Sequence, residues 1–148
     1  MGEVLDTKEN IMLSSELKTH RNIQSNHSYK ILKLDEGYAS IKISSKHSEK
    51  VDNQNLVYDG SIFSAANFCA MAAINEESTF LIGANVDFLN PVSGEDEEVI
   101  FEAKSVSNIS GKKNVQVVGK VNDITIFQGD FVAIKLDNQS LIKPNIKA

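Results

Sequence analysis

The sequence predicts an α+β domain in which one antiparallel sheet wraps a single apolar helix, and three observations predict it. Two runs of alternating apolar and polar residues flank Asp35-Glu36-Gly37, the pattern of a hairpin. Residues 57–73, VYDGSIFSAANFCAMAA, open on a glycine turn and are apolar on nearly every helical face, so that helix has to be buried nearly all round. From Thr79 onward the chain gives long strand-like runs separated by turn residues. A single sheet buries such a helix only by curling around it, and strands of about ten residues are long enough to curl.

Taken in order, residues 6 to about 22 (DTKENIMLSSELKTHRN) set Ile11, Met12 and Leu17 among polar positions. That pattern predicts a short, weakly amphipathic helix capped by Asp6 or Thr7. From His27 the period changes to two, and YKILKLDEGYASIKIS supplies the hairpin. Residues 45–55, SKHSEKVDNQN, are polar loop. The central helix is expected from about Gly60 to Ile74 and stops at Asn75-Glu76-Glu77-Ser78. The runs that follow are TFLIGANVDFLNPV, EEVIFEAKSVSNI, KNVQVVGKVND and ITIFQGDFVAIKL, read as a long antiparallel meander. Their turns fall at Ser93-Gly94-Glu95-Asp96, Ser110-Gly111-Lys112-Lys113 and Asn122-Asp123. Gly83, Gly119 and Gly129, inside the runs, mark bulges or close backbone approach. The expected division is a helical N-terminal extension (1–26), the wrapped domain (27–137) and a flexible tail (138–148).

At 148 residues there is material for one core and little room for a second. A net charge of −5 with scattered lysines and arginines lacks the electrostatic footprint of a nucleic-acid binder. No apolar run approaches the roughly 20 residues that span a bilayer, and the N-terminus lacks a secretory pattern. Neither nucleic acid nor membrane is expected as a partner, and the expected location is cytoplasmic. The single cysteine, Cys69, excludes an intramolecular disulfide, suits a reducing compartment and reads as a small buried hydrophobe. His20, His27 and His47 are far apart in polar surroundings without metal-ligand spacing, so no metal site and no cofactor is read. Ser61 and Ser64 have no nucleophile-elbow context. The sheet would leave exposed edges, which pairing in a symmetric homodimer covers.

Four places invite chemistry. Asn67 stands in the middle of the apolar helix, where burying an unpaired amide costs roughly 1–3 kcal/mol. It either satisfies a backbone group or its dimer mate, or it contacts a ligand. Gly60 and Ser61 open the helix, where outward N–H groups favour an anion or an oxyanion; the alternative is a plain helix-entrance turn. Asp59 reads as an N-cap or as a displaced catalytic acid. Lys112 and Lys113, in the turn before a strand, are solvated surface or a phosphate contact.

A set of short motifs adds to this reading. Ile62-Phe63 enters the helix and Ala66-Asn67 follows, with the asparagine four residues after the phenylalanine. Asp87-Phe88-Leu89-Asn90-Pro91-Val92 ends a strand before a turn carrying Gly94, and Phe127-Gln128-Gly129-Asp130-Phe131 lies in the closing strand. In order and spacing, from about Tyr58 to Leu136, these resemble the hot-dog fold family of acyl-CoA thioesterases and acyl-CoA-binding proteins. Within it they are most similar to the effector-binding domain of the malonyl-CoA-sensing repressors of lipid synthesis. The sequence also resembles the flagellar-co-regulated hot-dog protein of Campylobacter. The resemblance implies a long central helix wrapped by a curved antiparallel sheet, and a homodimer holding acyl-CoA at its interface. It also implies that Gly60 and Ser61 face the thioester carbonyl, that Phe63 and Asn67 touch the ligand, and that Lys112 and Lys113 lie near the coenzyme A phosphates.

Two departures shape the expectation. Only about 26 residues precede the first strand, too few for the repressors' DNA-binding domain, so repressor function does not transfer. Many hot-dog thioesterases also carry His-Gly-Gly at the turn and a carboxylate on the helix, where this sequence has Tyr58-Asp59-Gly60 and Asn67. An amide is neither a general base at neutral pH nor a carboxylate nucleophile, so binding without hydrolysis is the expectation. The alternative is a thioesterase drawing its acid from Asp59, Asp87 or Glu76. A third reading is an interaction module whose pocket is filled by Phe63, Phe68, Met71 and Phe88.

Overall fold

The computed structural model describes Leu13, residues 15–27 and residues 29–136. A short helix α1 (Arg21–His27) precedes the hairpin of β1 (Lys30–Asp35) and β2 (Tyr38–Ser44). A 3-10 turn (Ser45–His47) and a loop lead to the central helix α2 (Asp59–Ile74). Then follow β3 (Thr79–Phe88), β4 (Glu98–Ile109), β5 (Lys112–Val121) and β6 (Ile124–Lys135). Gly37, at φ +72, takes the left-handed position of the hairpin turn.

The strands pair antiparallel in the order β1-β2-β4-β5-β6-β3. The expected meander is therefore only partly present: β4, β5 and β6 follow one another, while β3 lies beyond β6 and β4 pairs with β2. Burial decides this. β4 alternates buried Val99, Phe101 and Ala103 with exposed residues, as a strand inside a half-covered sheet does, whereas Thr79 is the single buried residue of β3. The least buried run takes the edge. The return from β3 to β4 crosses one end of the sheet, held by Leu89 N–H on the Ile126 carbonyl at 2.8 Å and Val57 N–H on the Val92 carbonyl at 2.9 Å. Ser45, fully buried, closes the crossing: its N–H donates to the Glu97 carbonyl and its Oγ accepts from Glu97 N–H at 2.7 Å.

The inner face of the curved sheet packs on α2. Val115 and Val117 of β5, Phe127, Phe131 and Ala133 of β6, and Ala39 and Ile41 of β2 meet Ala65, Ala66, Phe68, Cys69 and Met71. The alanines let the sheet approach the helix backbone, and each fully buried phenylalanine contributes about 2–3 kcal/mol of apolar burial. Register slips between Leu81 and Gly83 and between Gly119 and Lys120 bend the strands, as the interior glycines predicted. Gly119 also makes room: a Cβ there would stand 2.7 and 2.9 Å from ring atoms of buried Phe101.

The N-terminal extension differs from the expected single helix. Leu13, Ser15 and Glu16 are helical, but the helix does not continue to Asn22. The chain is non-helical at residues 17–20, where it buries Leu17 and Thr19 on alternate positions, and α1 begins only after His20 at φ 55. The reason is Asn75, which ends α2 in the left-handed conformation with its N–H on the Met71 carbonyl. Its Oδ1 accepts from Lys18 N–H at 2.7 Å and its Nδ2 donates to the Glu16 carbonyl at 3.2 Å, taking backbone groups a helix would need. The expected cap at Asp6 or Thr7 and the tail from residue 138 lie outside the described residues.

Candidate functional site

Two isolated bridges, Lys50 with Val57 and Leu56 with Ser93, deliver the chain to the start of α2. The N-cap is Tyr58 and not Asp59: the Tyr58 carbonyl accepts from Ser61 N–H at 3.0 Å, and no side chain caps the helix. Asp59 is one residue inside, exposed, with its Oδ1 accepting from Gly60 N–H at 3.1 Å. An aspartate in the first turn is favoured there by the helix dipole. Over Gly60 lies the ring of Tyr58, whose Cε2 is 2.3 Å from where a Cβ would stand.

Two clefts flank this entrance. The larger, about 840 Å³, is lined mostly by polar residues: Tyr58, Gly60, Ser61 and Ser64 share it with His27, Lys30 and His47 and with the carboxylates of Glu49, Asp96 and Glu98. The smaller, about 420 Å³, is apolar, walled by Val57, Ile62, Phe88, Val92 and Ile126 with Asp59 at its side.

Further along α2, Phe63 is half-buried, its ring 5.6 Å from that of Phe131. One turn on is Asn67, whose Oδ1 is enclosed and finds no hydrogen-bond partner among the described residues. The polar group that stands out in the sequence is thus an orphaned acceptor at mid-helix. Cys69, on a sheet-facing position, is wholly buried with its Sγ 3.4 Å from the Ala39 carbonyl oxygen, and burial pushes its thiol pKa up.

Lys112 and Lys113 are at the other end. Lys113 is bound to Glu76 at 2.6 Å, beside the C-terminus of α2, and Lys112 is exposed at the start of β5. The 16-residue helix is roughly 24 Å long, so the predicted site residues separate into two groups. Asp59, Gly60 and Ser61 gather at the entrance, with Phe63 and Asn67 along the same helix, while the lysines stand a helix length away. Of the other carboxylates considered, Glu76 is held by Lys113, and Asp87 is exposed on β3 opposite Gln128. Sequence reasoning missed Tyr58, His27, Lys30 and His47 as one wall-forming set. Three separate segments supply them, and only an aromatic residue two places before a helix-opening glycine gave a local signal. Among the described residues no three histidines, cysteines or carboxylates are placed to hold a metal ion, and no helix is long and apolar enough to cross a membrane.

No protein-family model matches the chain. It is 37% identical, over 121 residues, to methylthioribose-1-phosphate isomerase of Aquifex aeolicus, covering 82% of this chain and 26% of that protein. It is 32% identical, over 103 residues, to the transcription factor FapR of a Geobacillus, covering 68% of this chain and 52% of FapR. The chain thus spans about a quarter and about half of these relatives. Among solved structures, the sigma28-regulated virulence protein Cj0977 of Campylobacter jejuni superposes with a TM-score of 0.79 at 28% identity, over 88% of this chain and 92% of that one. The PaaI protein from the phenylacetic acid degradation operon of Escherichia coli gives 0.72 at 14% identity, over 89% and 94%.

The chain is a hot-dog fold protein. Its wrapped helix, the six-stranded curved sheet and the edge position of β3 are those of a hot dog. The likenesses read from its motifs, to a Campylobacter protein and to a transcription factor, reappear in these comparisons.

Proposed function

We propose that this hot-dog protein is a homodimer that binds an acyl-CoA or a related thioester at the dimer interface and hydrolyses it poorly or not at all. Asn67 carries the reading. A carboxamide offers an acceptor and two donors but no ionisable oxygen, so it positions a ligand and does not activate water. Its enclosed Oδ1 has no donor among the described residues, a state costing about 1–3 kcal/mol that a ligand N–H or the partner subunit relieves. The dimer is supported by the outer edge of β3, where Phe80 and Ile82 are 53% and 45% exposed beside an unpaired strand edge. A ligand touching both the entrance and the lysines must run the length of α2 or take the lysines from the partner subunit. We place the protein in the cytoplasm, consistent with its one buried, unpaired thiol.

A second reading has one observation behind it: Asp59 is an exposed carboxylate lining the apolar cleft. In that reading Asp59 takes a proton from water as its oxygen adds to the thioester carbonyl, then returns that proton to the sulfur as the C–S bond breaks, releasing coenzyme A as its thiol and the acyl group as a carboxylic acid. The two separate in one experiment. The purified protein is incubated with a panel of acyl-CoAs, and bound thioester and free coenzyme A are quantified by chromatography with mass detection. Retained, intact thioester is expected. Steady release of coenzyme A, abolished in Asp59→Asn with binding kept, would replace the binder by a thioesterase.

A further inference from the structure

The helix entrance, where the proposed function seats the thioester carbonyl, is covered by a single side chain. A Cβ on residue 60 would stand 2.3, 2.6 and 2.9 Å from Cε2, Cζ and Oη of Tyr58, so the ring lies directly on the Gly60 backbone. The Tyr58 backbone is fixed at both ends, its N–H on the Glu49 carbonyl at 2.8 Å and its carbonyl on Ser61 N–H at 3.0 Å. The ring has no comparable hydrogen bond among the described residues. It is 47% exposed, and among the described residues neither a ring contact nor a hydrogen bond to its hydroxyl holds it.

Its position gives that freedom a consequence. Tyr58 and Gly60 line the polar cleft of about 840 Å³, while their neighbours Val57 and Asp59 line the apolar cleft of about 420 Å³. Tyr58 lines only the larger cleft, and the residues on either side of it in sequence line the smaller. The geometry points to Tyr58 as the gate of the ligand site: its ring swings off Gly60 before a thioester carbonyl reaches the helix entrance, and that swing joins the polar cleft to the apolar one. An acyl thioester is the ligand class that uses both, with its polar arm among Ser61, Ser64 and Lys30 and its acyl chain beside Ile62, Phe88 and Val92. Glycine at 60 is then what lets the gate close, because any side chain there holds the ring away. This inference rests on the acyl-CoA reading.

The test compares association and dissociation of octanoyl-CoA on immobilised wild type, Tyr58→Phe, Tyr58→Leu and Tyr58→Ala by surface plasmon resonance. A ring open about a tenth of the time slows entry, while a bound carbonyl itself keeps the ring aside, so Tyr58→Ala and Tyr58→Leu should speed association about tenfold and leave dissociation near wild type. Tyr58→Phe keeps the ring and should stay near wild type. Because Tyr58 is half exposed these truncations fold, and the leucine variant retains apolar bulk as a second check. Equal rates in all four proteins would overturn the gate and leave acyl-CoA binding standing. Faster exit without faster entry would also overturn it, making the ring a ligand contact. Uptake by none of the four would overturn the acyl-CoA reading and the gate with it.

Discussion

Two glycines in this chain meet aromatic rings in opposite circumstances, and their substitution should show it. At Gly60 an added Cβ meets the loose end of the half-exposed Tyr58 ring, which moves aside, and alanine is about 1 kcal/mol better than glycine in a helix. Gly60→Ala should therefore leave urea-unfolding stability unchanged or slightly raised. At Gly119 the Cβ meets the buried Phe101 ring, which has nowhere to go, so Gly119→Ala should cost about 1–3 kcal/mol in the same measurement. Asn67 makes a third case. Alanine there removes an enclosed acceptor that has no donor among the described residues, so stability of the unliganded protein should not fall. Affinity for octanoyl-CoA, read by calorimetry, should fall about tenfold, the equivalent of one lost hydrogen bond of roughly 1.4 kcal/mol. Loss of stability with unchanged affinity would make Asn67 a structural residue only.

At the scale of elements, the polar end of α2 is tied to the N-terminal extension through one side chain. Asn75 ends the helix at φ 50 and binds the backbone of residues 16 and 18, so Asn75→Ala loses two hydrogen bonds and pays for a left-handed backbone without an asparagine. The expected cost is about 1–3 kcal/mol. Hydrogen exchange should show the Lys18 amide losing protection while amides of β4 and β5 keep theirs; uniform loss would mean the extension is part of the global core. What the sequence disclosed follows the same division. Each strand, the hairpin turn and the apolar helix were legible because period and turn chemistry are local properties. The break at residues 17–20 was not, because it depends on Asn75, far along the chain. Nor was the pairing order, since alternation marks a strand's inner face but not its neighbour. Asn67 stood out because it is polar among alanines. The wall formed by Tyr58, His27 and His47 did not, because a helix end, a 3-10 turn and a helix cap from separate segments assemble it.

For the whole molecule, the open edge of β3 is the apolar strand edge that the proposed dimer would cover. If β3 is the contact between protomers, a charge at its exposed apolar positions should break the dimer. Ile82→Lys, at the register slip on that edge, should shift sedimentation from dimer to monomer at micromolar concentration while the far-ultraviolet spectrum stays that of a folded sheet. A dimer that survives the lysine would move the interface elsewhere. The most direct measurement of the central claim is native mass spectrometry of the wild-type protein mixed with octanoyl-CoA. A homodimeric binder gives a dimer mass carrying intact octanoyl-CoA that persists over hours, with no free coenzyme A accumulating. A ligand-free mass at saturating octanoyl-CoA, or coenzyme A released in many turnovers, would contradict it.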